Sequence, residues 1–89
     1  MSIILCIHKV ASNINKSFIY DIFNKHNFGH IEKIDLIHKE NSKKAFIHFK
    51  KWNKDDRSQS IKDIITSGKD IKIIYSMPWY WICKKSNYY

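Results

Sequence analysis

Ser42-Lys43-Lys44-Ala45-Phe46-Ile47-His48-Phe49-Lys50-Lys51-Trp52 is the stretch whose reading decides the fold. Successive side chains of an extended chain point to opposite sides, so alternation sends Ala45, Ile47 and Phe49 to one face and Lys44, Phe46, His48 and Lys50 to the other. The first face is wholly apolar and predicts a core. The second mixes ammonium groups with an aromatic ring, a combination in which cations follow phosphates while a flat side chain stacks on a base. A solvated strand face carrying one incidental Phe would read the same way from this stretch alone, so the flanking sequence has to decide.

Working outward, Glu40-Asn41-Ser42 form a turn, and before it Ile31, Ile34, Leu36 and Ile37 carry a strand, irregular near its start, that pairs with the first stretch as a hairpin. Ile3-Ile4-Leu5-Cys6-Ile7, ended by His8-Lys9, is short and β-branched with both faces apolar, which predicts a central strand. Between these strands Phe18, Ile19, Ile22, Phe23 and His26 recur at three- and four-residue steps, predicting a helix capped by Ser12 or Asn13 and closed by Gly29. Beyond the polar turn Asn53 to Asp56, Ile61, Ile64 and Ile65 make one helical stripe that ends at Ser67-Gly68. Ile71-Lys72-Ile73-Ile74-Tyr75 then reads as a fourth strand stopped by Met77-Pro78. The element order predicts an α+β, ferredoxin-like β-α-β-β-α-β sandwich over residues 1–76, with a four-stranded antiparallel sheet and two helices on one face. Residues 77–89 are expected to form an aromatic, basic C-terminal extension.

The chain has 89 residues, enough for one domain and too few for a separate catalytic one. Apolar residues make up 44% and aromatics 15%, so it can build a core and is not expected to be disordered. Its formal charge of +8 favours polyanionic partners, nucleic acid being the commonest. Every basic residue but Arg57 is Lys, which supplies point charge without the planar fork that reads guanine, so weak sequence discrimination is expected. Cys6 and Cys83 stand far apart with no Cys-x-x-Cys pair, which predicts free thiols in a reducing, intracellular compartment. Ser2 to Ile7 has no basic leader and is too short for a signal or a membrane span, so neither export nor a membrane partner is expected.

Two segments, Leu5-Cys6-Ile7-His8-Lys9-Val10 and Ser42 to Phe49, resemble the first- and third-strand signatures of the RNA recognition motif family, with Ala45, Phe46, Ile47 and Phe49 as the matching positions. The resemblance covers residues 2 to about 76. Phe-Ile-His-Phe-Lys-Lys-Trp, together with Lys-Asp-Ile-Lys-Ile-Ile-Tyr and Pro-Trp-Tyr-Trp, is also similar to short proteins of this kind encoded by large DNA viruses. The resemblance implies single-stranded RNA binding on the outer sheet face. The family places one stacking aromatic on its first strand and two on its third; the positions here are Cys6, Lys44 and Phe46, so two rings are replaced. Stacking contributes about 1–3 kcal/mol per base, so other rings have to compensate. Trp79, Tyr80 and Trp81, with Lys84-Lys85 and then Tyr88-Tyr89, are the candidates. One indole of Trp79 and Trp81 is expected to bury against the domain, the other to stay exposed beside Lys84-Lys85.

Antiparallel pairing is expected to set Cys6 opposite Phe46, His8 opposite Lys44 and Ile4 opposite His48 on the outer face, with Ile37 and Ile74 pointing the same way. So apolar a face predicts a cover, either nucleic acid, the aromatic tail or a second protein. Cys6, His8 and His48 carry zinc donor atoms but lack a fourth ligand and a closed spacing, so no metal or cofactor is expected. His26 reads as a core histidine, and His30 and His38 as strand-end residues. No nucleophile, base and orienter occur at a recognisable spacing, no phosphate loop fits the two glycines, and the aspartates are scattered, so the chain is not expected to be an enzyme.

The leading expectation is a module of low sequence specificity for single-stranded RNA or DNA. In it Lys44, Lys72, Lys84 and Lys85 contact phosphates, Phe46 stacks a base, His8 and His48 flank it, and Cys6, Trp79 and Trp81 complete the surface. The alternative is a protein-interaction module that docks a partner or a second copy, as a homodimer, through the sheet face or the aromatic tail.

Overall fold

The computed structural model describes residues 3–86. In chain order these form β1 (Ile3–Val10), α1 (Lys16–His26), β2 (Gly29–His38), β3 (Lys43–Trp52), α2 (Asp56–Thr66), β4 (Ile71–Ser76) and β5 (Trp79–Lys85). The chain is therefore α+β, with two helices and one antiparallel sheet.

Each helix begins where a short polar side chain satisfies an orphan backbone donor. Asn15 Oδ1 accepts from Phe18 N–H at 2.9 Å, and Asp55 Oδ2 from Ser58 N–H at 3.1 Å. Neither Ser12 nor Asn13 caps α1, because both lie inside a turn closed by Ile14 N–H donating to Ala11 O at 3.0 Å. Nor does Gly29 close it. Asn27 takes the left-handed conformation (φ 53°) and donates its N–H to Phe23 O. Gly29 instead opens β2, where a Cβ would overlap the Lys51 carbonyl oxygen and the strand backbones could not approach.

The sheet has five strands, not the four expected, in the order β2-β3-β1-β5-β4. The difference arises at Met77-Pro78. These residues end the fourth strand, as expected, but they also form the two-residue turn of a β4–β5 hairpin, closed by Ser76 opposite Trp79. A proline has no N–H to give a ladder, and a turn position needs none. Trp79–Lys85 is thus an interior strand lying between β1 and β4, neither across the sheet nor away from it.

One core cluster joins the inward faces of the strands, among them Leu5, Ile7, Ile47, Phe49, Ile73 and Trp81, with Ile19, Ile22 and Phe23 of α1 and Ile65 of α2. Trp81 is its largest insert from β5. Its ring stacks on Phe23 at 6.2 Å and on Tyr75 at 4.5 Å, with Phe18 edge-on at 6.1 Å. The stripe on α2 is narrower than expected, since Ile64 is exposed.

Register shifts bend the central strands. On β1, His8 and Lys9 together span the interval that Lys44 alone spans on β3, between the pairs Ile7↔Ala45 and Val10↔Lys43. This is a bulge, and it leaves His8 and Lys9 both exposed while Ile7 and Val10 both face the core. Shifts around Ile31 and Lys33 do the same near the start of β2, bringing Ile31 and Ile34 inward together.

Candidate nucleic-acid interface

The face opposite the helices is built by register. Cys6 stands across from Phe46 and Ile4 across from His48 on β3, as expected, and Lys84 of β5 flanks Cys6 from the other side. His8 meets Lys44 through the bulge rather than as a simple pair. The result is a groove of about 280 Å³ with Cys6 and Phe46 in its wall and His8, Lys44, Lys84 and Lys85 around them. Ser86 closes one end, its backbone N–H donating to Ile4 O at 2.8 Å.

Six of the ten residues singled out in the sequence therefore converge, but their roles differ from expectation. Phe46 is only 8% exposed, with the Lys44 ammonium 5.4 Å from its ring centroid. It is groove floor, not a free stacking platform, because neighbouring side chains on a pleated face shield a ring that alternation alone would leave open. Burial pushes the Cys6 thiol up, partly countered by Lys44 and Lys39, so the sulfur stays protonated and is no nucleophile. Cys83 is also free and buried, but on the core side; burial, then Cys6 and Asp70, push its thiol far up.

The other four lie outside the groove. His48, expected beside a bound base, is 7% exposed and donates from Nε2 to Asp35 Oδ2 at 3.0 Å. Its partner was read as a scattered surface aspartate; the β2–β3 register brings it within reach, because Asp35 pairs with Phe46 and so neighbours His48. Lys33 Nζ approaches the same carboxylate oxygen at 3.8 Å, an exposed pair worth little. Trp81, expected as a ligand contact, is 3% exposed with its ring stacked on Phe23 on the helical side. Trp79, 63% exposed, is the open indole of the pair, but it begins β5 whereas Lys84 and Lys85 end it, so it does not stand beside them as expected. Lys72 lies on β4, its ammonium 4.8 Å from the Tyr80 ring.

Of the three rings named at Trp79, Tyr80 and Trp81, Tyr80 is half-exposed and cation-flanked on the outer face, and its neighbours Ile82 and Lys9 were not singled out. A signal existed. Trp79-Tyr80-Trp81-Ile82-Cys83-Lys84-Lys85 is aromatic and β-branched over a strand's length, and alternation would have put Trp81 and Cys83 inside with Tyr80, Ile82 and Lys84 outside. The expected contribution of Tyr88 and Tyr89 lies outside the described residues.

Among the described residues, no group of three or more His, Cys, Asp or Glu is placed to hold a metal ion, and no helix is long and apolar enough to cross a membrane. What the face offers is cations around an aromatic-walled groove, with the open Tyr80 ring toward β4. Comparison of the chain with family models, with curated proteins and with solved structures finds no match.

Proposed function

We propose that this chain is a single-stranded nucleic-acid-binding module, RNA being the expected ligand, built on a frame like that of the RNA recognition motif and enlarged by the β4–β5 hairpin. One observation carries the reading: Lys44, Lys84 and Lys85 surround a groove walled by Phe46 and Cys6 on a chain of net charge +8. Three lysines lining one groove suit a polyanionic strand better than they suit any neutral ligand. Tyr80, with Lys72 beside it, supplies a stacking ring on the open half of the same face. Lysines without guanidinium forks hold the backbone and leave sequence largely unread along the groove.

The test is fluorescence anisotropy with a labelled ten-nucleotide single-stranded RNA over rising salt. Three to four released counterions give a slope of log K against log salt of roughly −2 to −3. Lys44→Glu with Lys84→Glu should flatten that slope and weaken binding at low salt. No binding at low salt, or equal affinity for a duplex of the same length, would sink the reading.

A protein-docking reading rests on Ile74 and Ile82, exposed beside Tyr80 on the β4–β5 hairpin, and on exposed Ile37 at the β2 edge. Sedimentation separates the two readings. A concentration-dependent dimer lost in Ile37→Lys supports a homodimer, and a strict monomer at high concentration removes it.

A further inference from the structure

β1 extends to Val10 and β5 begins at Trp79, yet the ladder between them is confined to Leu5↔Lys85, Cys6↔Lys84 and Ile7↔Cys83. Past Ile7 the His8-Lys9 bulge re-aims β1, while β5 stays paired to β4 through Ile82, Trp81 and Tyr80. The strands part and enclose a cleft of about 400 Å³ lined by His8, Lys9, Trp79, Tyr80, Trp81 and Ile82. That volume falls in the range of about 300–1,000 Å³ typical of small-ligand sites. His8 lines both this cleft and the lysine groove, so the two adjoin at its side chain.

We infer that this fork between β1 and β5 takes one unpaired nucleobase from the strand whose phosphates lie along the Lys44–Lys84 groove. The inference rests on the nucleic-acid reading above and adds a base-recognising subsite to it. Two features select a base. The mouth carries Lys9 and joins a cationic groove, so the ligand is tethered to a polyanion. The walls are an exposed indole, a phenol, an imidazole and an isoleucine, which suit a flat ring. An acidic peptide would satisfy the first feature without using the second. Binding should therefore discriminate among bases at one position and remain indifferent at the others.

The experiment is an amide and indole NMR titration of the whole chain with single-stranded hexanucleotides U6, A6 and C6 at low salt, repeated with Trp79→Ala. Trp79 is exposed, so its loss leaves the fold intact. The Trp79 indole N–H and the Lys9 and Ile82 amides should move together with those of Lys44 and Lys84, and the three oligomers should differ in affinity. Trp79→Ala should weaken binding roughly 5- to 150-fold, the loss of one stacked base, while the Lys44 and Lys84 amides still respond. If the groove amides move but Trp79, Lys9 and Ile82 do not, and Trp79→Ala binds like the parent, the fork is empty and only the groove reading survives. If no resonance moves in the parent, both fall. Hexaglutamate shifting the fork resonances as strongly as RNA would overturn the nucleobase assignment.

Discussion

Replacing Trp81 by Ala removes a side chain that is 3% exposed and contacts three rings, stacked on Phe23 and Tyr75 and edge-on to Phe18. Large-to-Ala changes at such sites cost about 3–5 kcal/mol, which already includes the transfer and cavity terms. Each lost aromatic pair carries about 0.5–1.5 kcal/mol beyond burial, and three pairs put this site at the upper end of that interval. A domain of 89 residues has a total stability of about 4–13 kcal/mol, so the substitution removes a third or more of it. At about 4–8 °C per kcal/mol the melting temperature should fall by some 12–40 °C. Far-UV circular dichroism during urea unfolding measures this without relying on indole fluorescence, and Trp79→Ala in the same strand is the internal control, expected within about 0.5 kcal/mol of the parent. A Trp81→Ala variant within about 1 kcal/mol of the parent would show that the indole does not fill the core between α1 and the sheet, and the five-stranded arrangement would lose its central support.

Arg57 donates to His26 O at 2.5 Å and to His26 Nδ1 at 3.1 Å; a guanidinium only donates, so Nδ1 must carry its lone pair and the imidazole must be neutral. Burial, then Arg57, hold the His26 pKa below its ordinary 6.5, so the unfolded chain binds the proton first. Stability is full above about pH 7 and declines as pH falls through 6.5 toward the lower folded value; urea midpoints from pH 7.5 to 5 should show a decline that His26→Gln flattens. Gly29→Ala forces a Cβ onto the Lys51 carbonyl oxygen, and since that obstacle is backbone, it should destabilise by about 1–3 kcal/mol in the same assay, whereas Gly68→Ala meets no neighbouring atom and pays only for its φ of +91°.

The helices and the central hairpin were legible because their apolar stripes have only one place to go. Phe18, Ile19, Ile22 and Phe23 fit a helix and nothing else, and Ala45, Ile47 and Phe49 all lie in the core or against it. The fifth strand was obscured by Pro78, whose missing donor argues against a strand but equally suits the turn between two strands. It was obscured again by apolar residues on both of its faces, Trp81 and Cys83 inside, Tyr80 and Ile82 outside, which hide the alternation. The Cys6, Phe46 and Lys44 part of the groove followed from parity along β1 and β3, whereas Lys84 and Lys85 join it through the β1–β5 pairing. The burial of Phe46 and the Asp35–His48 contact did not follow from parity, because both depend on which strand lies beside which, a property of pairing rather than of any one segment.

The position of β1 has a kinetic consequence. β2 with β3, and β4 with β5, are hairpins whose partners are near in sequence and close at small entropic cost. β1 is flanked on both sides by strands remote from it, and its Cys6↔Lys84 pair spans nearly the whole chain. Two local hairpins therefore form first and stay unjoined until the N-terminal strand slots between them, so the rate of folding is set by the most distant contacts in the molecule and is slower than its helices and tight turns alone would suggest.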